Sequence, residues 1–252
     1  MKRIIIALSL YSRIPMPQFR WDEKDTEHAV AYLPLVGLII AGIEYISYWI
    51  LNYIEANDIA KIAVFSVIPL MVTGGFHMDG FMDVEDALKS YKSKEEKLLI
   101  MKDPNIGAFA IIRLLIYSLI WIIAMSFIID MKMSMFLIFI SLFFEARAQA
   151  GFISLIVPHA KKNGMLNMET SEHKGDKVFL VFQMLLGLAV MIYLNAFIAL
   201  LIAIASIAYF FIYKHRMITN FGGITGDTIG YYIVTWMELM VVVEVIGSFI
   251  GL

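Results

Sequence analysis

The sequence predicts an all-α membrane protein: a polytopic bundle of about seven transmembrane helices in a single domain of residues 1–252. Apolar residues make up 60% of the chain and charged residues 17%, whereas soluble domains average about 45–50% and about 25%. The apolar residues gather into seven stretches, and each is long enough, or nearly so, for a hydrocarbon core that needs about 17–25 helical residues. The basic residues lie mainly between alternate stretches.

The chain begins with a short apolar stretch, residues 4–11, which we interpret as a retained interfacial helix because no small-residue cleavage site follows it. The predicted spans cover residues 28–54, 59–73, 108–129, 133–157, 178–194, 196–213 and 227–250. The second span is short. Pro69 and the following Gly74 and Gly75 predict that it breaks as it ends.

Lysines and arginines are distributed asymmetrically. Sixteen of the 20 fall in four segments on one side of a seven-span bundle: the amino-terminal stretch, the segment after the second span, and the loops after the fourth and sixth spans. The other side carries Lys61 and Lys132, while Arg113 and Arg147 lie inside spans. Because cytoplasmic segments are enriched in basic residues, we expect a multi-pass protein of the cell membrane with these four segments in the cytoplasm.

Three aspartates mark the segment after the second span. Asp79, Asp83 and Asp86 are spaced i, i+4, i+7, so on a helix they fall within a wedge of about 60°, and Glu85 points away from it. Carboxylates on one stripe repel one another unless a cation lies among them. Their oxygens suit Mg²⁺ or Ca²⁺, and Mg²⁺ is usually shared with substrate phosphates. The alternative is a solvated acidic face, for which the surrounding Gly, Met and Phe residues are unusual.

A glycine-rich loop before the last span is predicted on the same side. Gly223 and Thr225 belong to it, and backbone N–H groups exposed before a helix favour anions. Asp227, where the span starts, is either a ligand or a helix cap. Glu238 lies about 20° from Asp227 around the helix, and an intramembrane glutamate normally faces the bundle interior or a cavity.

Two charges lie inside the fourth span. Glu145 and Arg147 differ by about 200° around a helix, so they cannot pair with each other and each needs a separate partner. Arg147 either contacts a substrate phosphate or an aspartate, or forms a structural ion pair. Arg13, in a turn enforced by Pro15 and Pro17, either holds a phosphate or faces lipid headgroups.

Together these features predict Mg²⁺-dependent chemistry on a phosphorylated or diphosphate substrate. The metal would neutralise phosphate charge, lysines and arginines would complete the clamp, and one carboxylate would act as general base on an acceptor hydroxyl. His77 is a weaker acid–base candidate. The chain has no cysteine, which excludes a thiolate nucleophile, and it contains no HExxH motif.

The motifs resemble those of the adenosylcobinamide-GDP ribazoletransferase family, the cobalamin synthases. The resemblance extends in order over nearly the whole chain, through SRIPMP (12–17), GGFHMDGFMD (74–83) with Asp86, MKD and IGAF (101–109), Arg147, and GITGD (223–227) with Glu238. It implies a multi-pass inner-membrane enzyme with Mg²⁺ as cofactor. A hydroxyl of α-ribazole, or of its phosphate, would attack the β-phosphorus side of adenosylcobinamide-GDP and release GMP, leaving adenosylcobalamin or its phosphate.

The resemblance also implies a set of site residues on the cytoplasmic face. The metal ligands would be Asp79, Asp83, Asp86, Asp103 and Asp227. The catalytic candidates are Asp83, Asp86 and His77, and the candidates for binding substrate and phosphate are Arg13, Lys102, Arg147, Gly223 and Thr225. We expect the two substrates and the lipid bilayer as partners and no nucleic acid, and leave a homo-oligomer open. The loop 158–165 matches the family pattern only loosely, which leaves its substrate contacts open.

Other functions compete with this interpretation. A CDP-alcohol phosphotransferase places aspartates around a metal, but its motif has Ala-Arg soon after Asp-Gly, and here the residues are DGFMD (79–83). A polyprenyl transferase fits the basic loops and glycine pattern less well. From another class, a secondary transporter would use Glu44, Glu145 and Glu238 in broken helices, but the sequence lacks the two matching halves expected of one.

Overall fold

The computed structural model describes residues 2–17, 26–160, 170 and 174–251, and these are almost entirely helical. The elements in chain order are α1 (Lys2–Tyr11), a 3₁₀ turn (Ala29–Tyr32), α2 (Leu33–Tyr53), α3 (Asp58–Thr73), α4 (Phe76–Lys89), α5 (Lys94–Ile100), α6 (Ala108–Ile128), α7 (Met133–Ile156), α8 (Lys174–Leu194), α9 (Ala196–Phe221) and α10 (Gly226–Ile250). The predicted all-α class is confirmed. Most of the loop 158–165, and the basic residues Arg20, Lys24, Lys161 and Lys162, lie outside the described residues.

The number of membrane-crossing helices agrees with the prediction of about seven. Six of the described helices are long and apolar enough: α2 with its 3₁₀ turn, α6, α7, α8, α9 and α10. The pair α3 and α4 passes the same test when taken together, but it is bent by 91°. Because α3 packs along α2, the bend turns α4 across the end of the bundle. We therefore treat α3 as the seventh membrane segment and α4 as lying outside the spans.

Two consecutive glycines make this corner. Gly74 and Gly75 have φ angles of +67° and +78°, a left-handed conformation that residues with a side chain rarely adopt. The backbone N–H of Arg13 donates to the carbonyl of Val72 (2.8 Å), which attaches the turn after α1 to the corner. The predicted break at the end of the second span is therefore confirmed, and it redirects the acidic segment.

Helix α7 lies at the centre of the bundle, packed against α2, α8 and α10. Small residues let helices approach closely in a membrane, where packing rather than water exclusion holds them together. On α2, a Cβ added to Gly37 would lie 2.2 Å from the carbonyl oxygen of Phe143 on α7. The two backbones are therefore in direct contact at this point.

The polar segments meet at one end of the bundle. Lys97 donates to the side chain of Asn220 (2.7 Å), which joins α5 to the end of α9. His159, just after α7, forms a β-bridge with Ile224, just before α10. As far as the structure describes them, the acidic segment and the later loops share one face, as the sequence predicts.

The contact between α2 and α7 gives a stability prediction. Gly37→Ala should destabilise the protein by about 2 kcal/mol or more, because the new methyl group meets backbone that cannot move aside. Gly42→Ala on the same helix is the matched control, since a Cβ there meets nothing within 4 Å. Thermal unfolding of the two purified variants should show a lower melting temperature for Gly37→Ala alone. Equal melting temperatures would contradict the packing described.

Candidate active site

The acidic stripe lies on α4 as the sequence predicts. His77, Phe81, Val84 and Glu85 are buried against the bundle, whereas Asp79 is exposed and Asp83 and Asp86 are partly exposed. The buried positions recur at helical spacing and face α6 and α10. The aspartates therefore lie on the side of α4 that faces away from the bundle core, and Glu85 points elsewhere.

Helix α10 brings a fourth carboxylate to the stripe. A Cβ added to Gly80 would lie 2.8 Å from the Cα and carbonyl oxygen of Asp227. The absence of a side chain at Gly80 thus lets the start of α10 lie against α4. Asp227 is thereby placed beside Asp83, close enough for their charges to interact.

Asp83 is the centre of this acidic cluster. Partial burial and repulsion from Asp79, Asp227 and Asp86 raise the pKa of its carboxyl group to about 7. A carboxylate surrounded by others in this way favours a proton or a bound cation. Such a perturbed group at the end of a bundle is a candidate for function.

Asp227 is not the cap of α10. The N-cap is Thr225, whose side chain accepts from the N–H of Thr228 (3.3 Å), while the Thr228 hydroxyl accepts from the N–H of Thr225 (2.8 Å). The alternative interpretation of Asp227 as a plain cap is therefore wrong. Thr225 itself has a structural role, and its proposed contact with substrate stays a prediction.

Asp86 has partners that sequence reasoning missed. Its two carboxylate oxygens accept hydrogen bonds from the backbone N–H groups of Gly107 (2.6 Å) and Ala110 (2.9 Å) at the start of α6. An anion at a helix N-terminus is stabilised by the unpaired N–H groups and the helix dipole. Asp86 thus ties α4 to α6, and its predicted metal and catalytic roles stay predictions.

The remaining predicted residues are spread around this end of the bundle. Lys102 and Asp103 are exposed between α5 and α6, and the carboxylate of Asp103 accepts from Asn105 (2.7 and 2.9 Å). The Arg13 side chain lies over Gly74 at the corner. Gly223 packs against the segment after α7, since a Cβ there would lie 2.3 Å from the carbonyl oxygen of Pro158.

His77 and Arg147 are brought together, but away from the stripe. His77 is about 120–180° around α4 from the three aspartates. Both His77 and Arg147 are buried and line a cavity of about 380 Å³ beneath the corner between α3 and α4. A direct role for His77 at the stripe stays a prediction that this placement does not favour.

The two charges of the fourth span do have separate environments. Glu145 accepts from Gln149 (2.9 Å), which in turn accepts from Tyr232 (2.7 Å). Arg147 donates to the carbonyl of Phe143 (2.9 Å). The prediction that Glu145 and Arg147 cannot pair is therefore confirmed.

An ion-pair network that the sequence analysis missed lies beside α4. Arg113 of α6 forms a bidentate pair with Glu238 of α10 and lies 3.7 Å from Glu85. Tyr231 donates to Glu85 (3.2 Å), and Arg216 donates to Tyr231 (2.7 Å). The available signal was that Arg113 and Glu238 are opposite charges inside two spans, each of which requires a partner.

The donor chemistry of the cluster suits Mg²⁺, but the ligands are not assembled around one point. Among the described residues, no group of three His, Asp or Glu side chains is arranged to hold a metal ion. Asp79 and Asp227 each lie close enough to Asp83 for their charges to interact. Mg²⁺ commonly takes one or two carboxylates and completes its shell with water and substrate phosphates, so the carboxylates fit that ion together with a phosphorylated ligand.

Comparison with known families agrees with these observations. The family model described as cobalamin-5-phosphate synthase matches residues 3–246. The chain belongs to the cobalamin-5-phosphate synthase family. The match includes every predicted site residue from Arg13 to Asp227, so the family's sequence pattern spans the stripe, the corner and the start of α10.

Curated relatives in this synthase family have the name that the sequence motifs implied. Adenosylcobinamide-GDP ribazoletransferase of Lachnoclostridium phytofermentans is 34% identical over 93% of this chain and 89% of its own length. The protein of that name from Clostridium botulinum is 32% identical over 98% and 96%, and the one from Alkaliphilus oremlandii is 32% identical over 91% of both chains. No solved structure matches. The predicted family is confirmed.

The crowding around Asp83 gives a second stability prediction. Its pKa is raised from 3.8 to about 7 in the folded protein, so the folded state keeps a proton that the unfolded state loses near pH 4. Stability from this group therefore falls as pH rises from about 4 to above 7. In EDTA at pH 8, Asp83→Asn should be more stable than the parent by about 1–2 kcal/mol, a value discounted for partial solvent screening.

The control for this prediction is Asp130→Asn. Asp130 is exposed and follows α6 at the opposite end of the bundle. The melting temperature of the Asp130→Asn variant should therefore match that of the parent at pH 8 and at pH 5. The advantage of Asp83→Asn should shrink at pH 5. A variant less stable than the parent at pH 8 would contradict the electrostatic description.

Proposed function

We propose that the protein joins adenosylcobinamide-GDP to α-ribazole, or to α-ribazole phosphate, and releases GMP, in the nucleotide-loop assembly of cobalamin biosynthesis. The names of the relatives and the family description support this activity. The structural observation that supports it best is the acidic cluster of Asp79, Asp83 and Asp227, where α4 meets the start of α10. Crowded carboxylates of this kind suit a metal-bound diphosphate.

Asp79, Asp83 and Asp227 would hold Mg²⁺ through their carboxylate oxygens, and the ion would neutralise the charge of the diphosphate. Asp86 would position α4, and with it the cluster, through its hydrogen bonds to the start of α6. Lys102 and Arg13, both exposed, would contact phosphate oxygens at the rim. Asp103, beside Lys102, would complete the acidic face.

In the transfer, a hydroxyl oxygen of α-ribazole forms a bond to the β-phosphorus, and the bond from that phosphorus to the oxygen shared with GMP breaks. GMP leaves with that oxygen. The proton of the attacking hydroxyl passes to a carboxylate of the cluster, for which Asp83 and Asp86 are the candidates. The oxygens of Asp86 already accept two backbone N–H groups.

The activity is tested by mass detection of GMP from purified protein in nanodiscs supplied with both substrates and Mg²⁺. Asp79→Asn, Asp83→Asn and Asp227→Asn should each lower the rate by about 100-fold or more, as expected when groups acting on transition-state charge are lost. Asp130→Asn, exposed at the far end, should keep the parent rate. A parent protein that, reconstituted in liposomes, moves substrate across the bilayer without GMP release would be a transporter instead.

The dependence of the rate on Mg²⁺ concentration tests whether Asp227 is a metal ligand. EDTA should abolish GMP release, and added Mg²⁺ should restore it. In Asp227→Asn, raised Mg²⁺ should recover part of the rate, because a weakened site fills at higher metal concentration. Full activity of this variant at low Mg²⁺ would remove Asp227 from the ligand set.

The orientation of the site is the last part of the proposal. The end of the bundle that carries the acidic cluster is rich in lysine from the last residue of α4 to the segment before α6: Lys89, Lys92, Lys94, Lys97 and Lys102. The positive-inside rule puts this end in the cytoplasm, and seven spans then put the carboxyl terminus outside. A reporter that is active only in the cytoplasm should be silent at the carboxyl terminus and active at the amino terminus. The reverse pattern would place the site outside the cell.

A further inference from the structure

The cavity beneath the corner between α3 and α4 is separate from the acidic face. Thr73 and His77, on either side of Gly74 and Gly75, both line it, so the corner forms its roof. Its volume of about 380 Å³ falls within the range of roughly 300–1,000 Å³ found for small-molecule sites. The cavity thus lies directly under the helix that carries the aspartates.

The walls of this cavity are apolar and aromatic. Tyr117 and Trp121 of α6 stack with ring centroids 5.8 Å apart and an interplanar angle of 21°, and Phe143 of α7 also lines the cavity. The Ser118 hydroxyl already donates to its own helix, at the carbonyl of Leu114 (2.8 Å). Such a lining suits a flat apolar ring system better than a phosphate or a sugar.

One cation in the wall has no ion-pair partner in the part of the chain that the structure describes. Arg147 is 2% exposed, its Nη1 donates to the backbone carbonyl of Phe143, and its Nε has no hydrogen-bond partner among the described residues. A buried charge without a partner destabilises the fold. Its presence in the wall of a cavity is accounted for if a ligand with a hydrogen-bond acceptor completes the site.

We propose that this cavity binds the benzimidazole base of α-ribazole, with Arg147 donating to the free ring nitrogen. The inference rests on the proposed function, since α-ribazole is a benzimidazole nucleoside: a flat, apolar ring pair with one acceptor nitrogen and an attached ribose. With the base beneath α4, the attached ribose would extend toward the Gly74–Gly75 corner. Arg13 lies over Gly74 and would meet the phosphate of α-ribazole phosphate.

The test measures equilibrium binding of labelled α-ribazole to the full chain in nanodiscs, with EDTA present so that binding is seen without turnover. Ser118→Phe would fill the cavity and should weaken binding at least tenfold. Ser126→Phe is the matched control, because Ser126 is on the same helix, also donates only to its own helix (Ile123, 2.7 Å) and is exposed. It should bind within twofold of the parent.

A second variant tests the cation. Arg147→Met should also weaken α-ribazole binding at least tenfold, while its melting temperature stays the same or rises, because an uncompensated buried charge is removed. A purely structural arginine predicts the opposite, a lower melting temperature with binding intact. Binding of adenosylcobinamide-GDP should change in neither Ser118→Phe nor Arg147→Met.

The results separate this proposal from the proposed function. If Ser118→Phe and Arg147→Met bind α-ribazole like the parent and the parent releases GMP, the cavity assignment is wrong and the transferase stands. If the parent neither binds α-ribazole nor releases GMP, both fail. A lipid that copurifies with the parent and is lost from Ser118→Phe, with α-ribazole binding unchanged, would assign the cavity to lipid.

Discussion

The close approach of α4 to α10 is the constraint on which the site depends. It uses one glycine from each helix: a Cβ on Gly80 would meet the backbone of Asp227, and a Cβ on Gly230 would lie 3.1 Å from the carbonyl oxygen of His77. With both glycines the helices come into contact here, and Phe81 stacks on Tyr231 with centroids 5.9 Å apart. This contact places Asp227 next to the aspartate stripe. A larger residue at either glycine would separate the carboxylates.

The charges of the bundle are accommodated in three ways, and the differences indicate function. Arg113 and Glu238 neutralise each other, as buried ions normally must. Asp86 is satisfied by two N–H groups at the start of α6. In contrast, Asp83 is surrounded by other carboxylates, and the guanidinium of Arg147 has only partial hydrogen bonding. Glu44 is also buried without a partner among the described residues, so such a conflict alone does not mark a site. The conflicts at Asp83 and Arg147 are distinguished by lying on either side of the same helix, α4, where a ligand could resolve both.

Sequence reasoning recovered the local geometry because it depends only on the helical repeat. The stripe of Asp79, Asp83 and Asp86, the break at Gly74, and the opposed directions of Glu145 and Arg147 all follow from residue spacing. Hydropathy likewise predicted the spans to within a few residues, α3 included, apart from α9, which continues to Phe221 where the predicted span ended at residue 213. These features need no knowledge of which helix lies next to which.

What the sequence could not supply is the pairing between helices. The cap that Asp86 makes on α6 joins residues 21 and 24 positions apart, and the bond between Arg113 and Glu238 joins residues 125 apart. The sequence alone also allowed Asp227 to cap α10, but Thr225 has that role. Glu44 is a remaining example. It is fully buried, and neither of its carboxylate oxygens has a hydrogen-bond partner among the described residues. Neither residue spacing nor packing gives it a role.

A metal site that is not preassembled is consistent with the way α4 is held. The helix is fixed at three points: the Gly74–Gly75 corner, the glycine contact with α10, and the bonds from Asp86 to α6. These contacts hold its backbone in place, while Asp79 is exposed and Asp83 is partly exposed. Gathering three carboxylates around an empty point would add to a repulsion that already perturbs Asp83. In the proposed function, a metal ion arriving with a diphosphate would relieve that repulsion, so the same crowding that weakens the free protein would strengthen the complex.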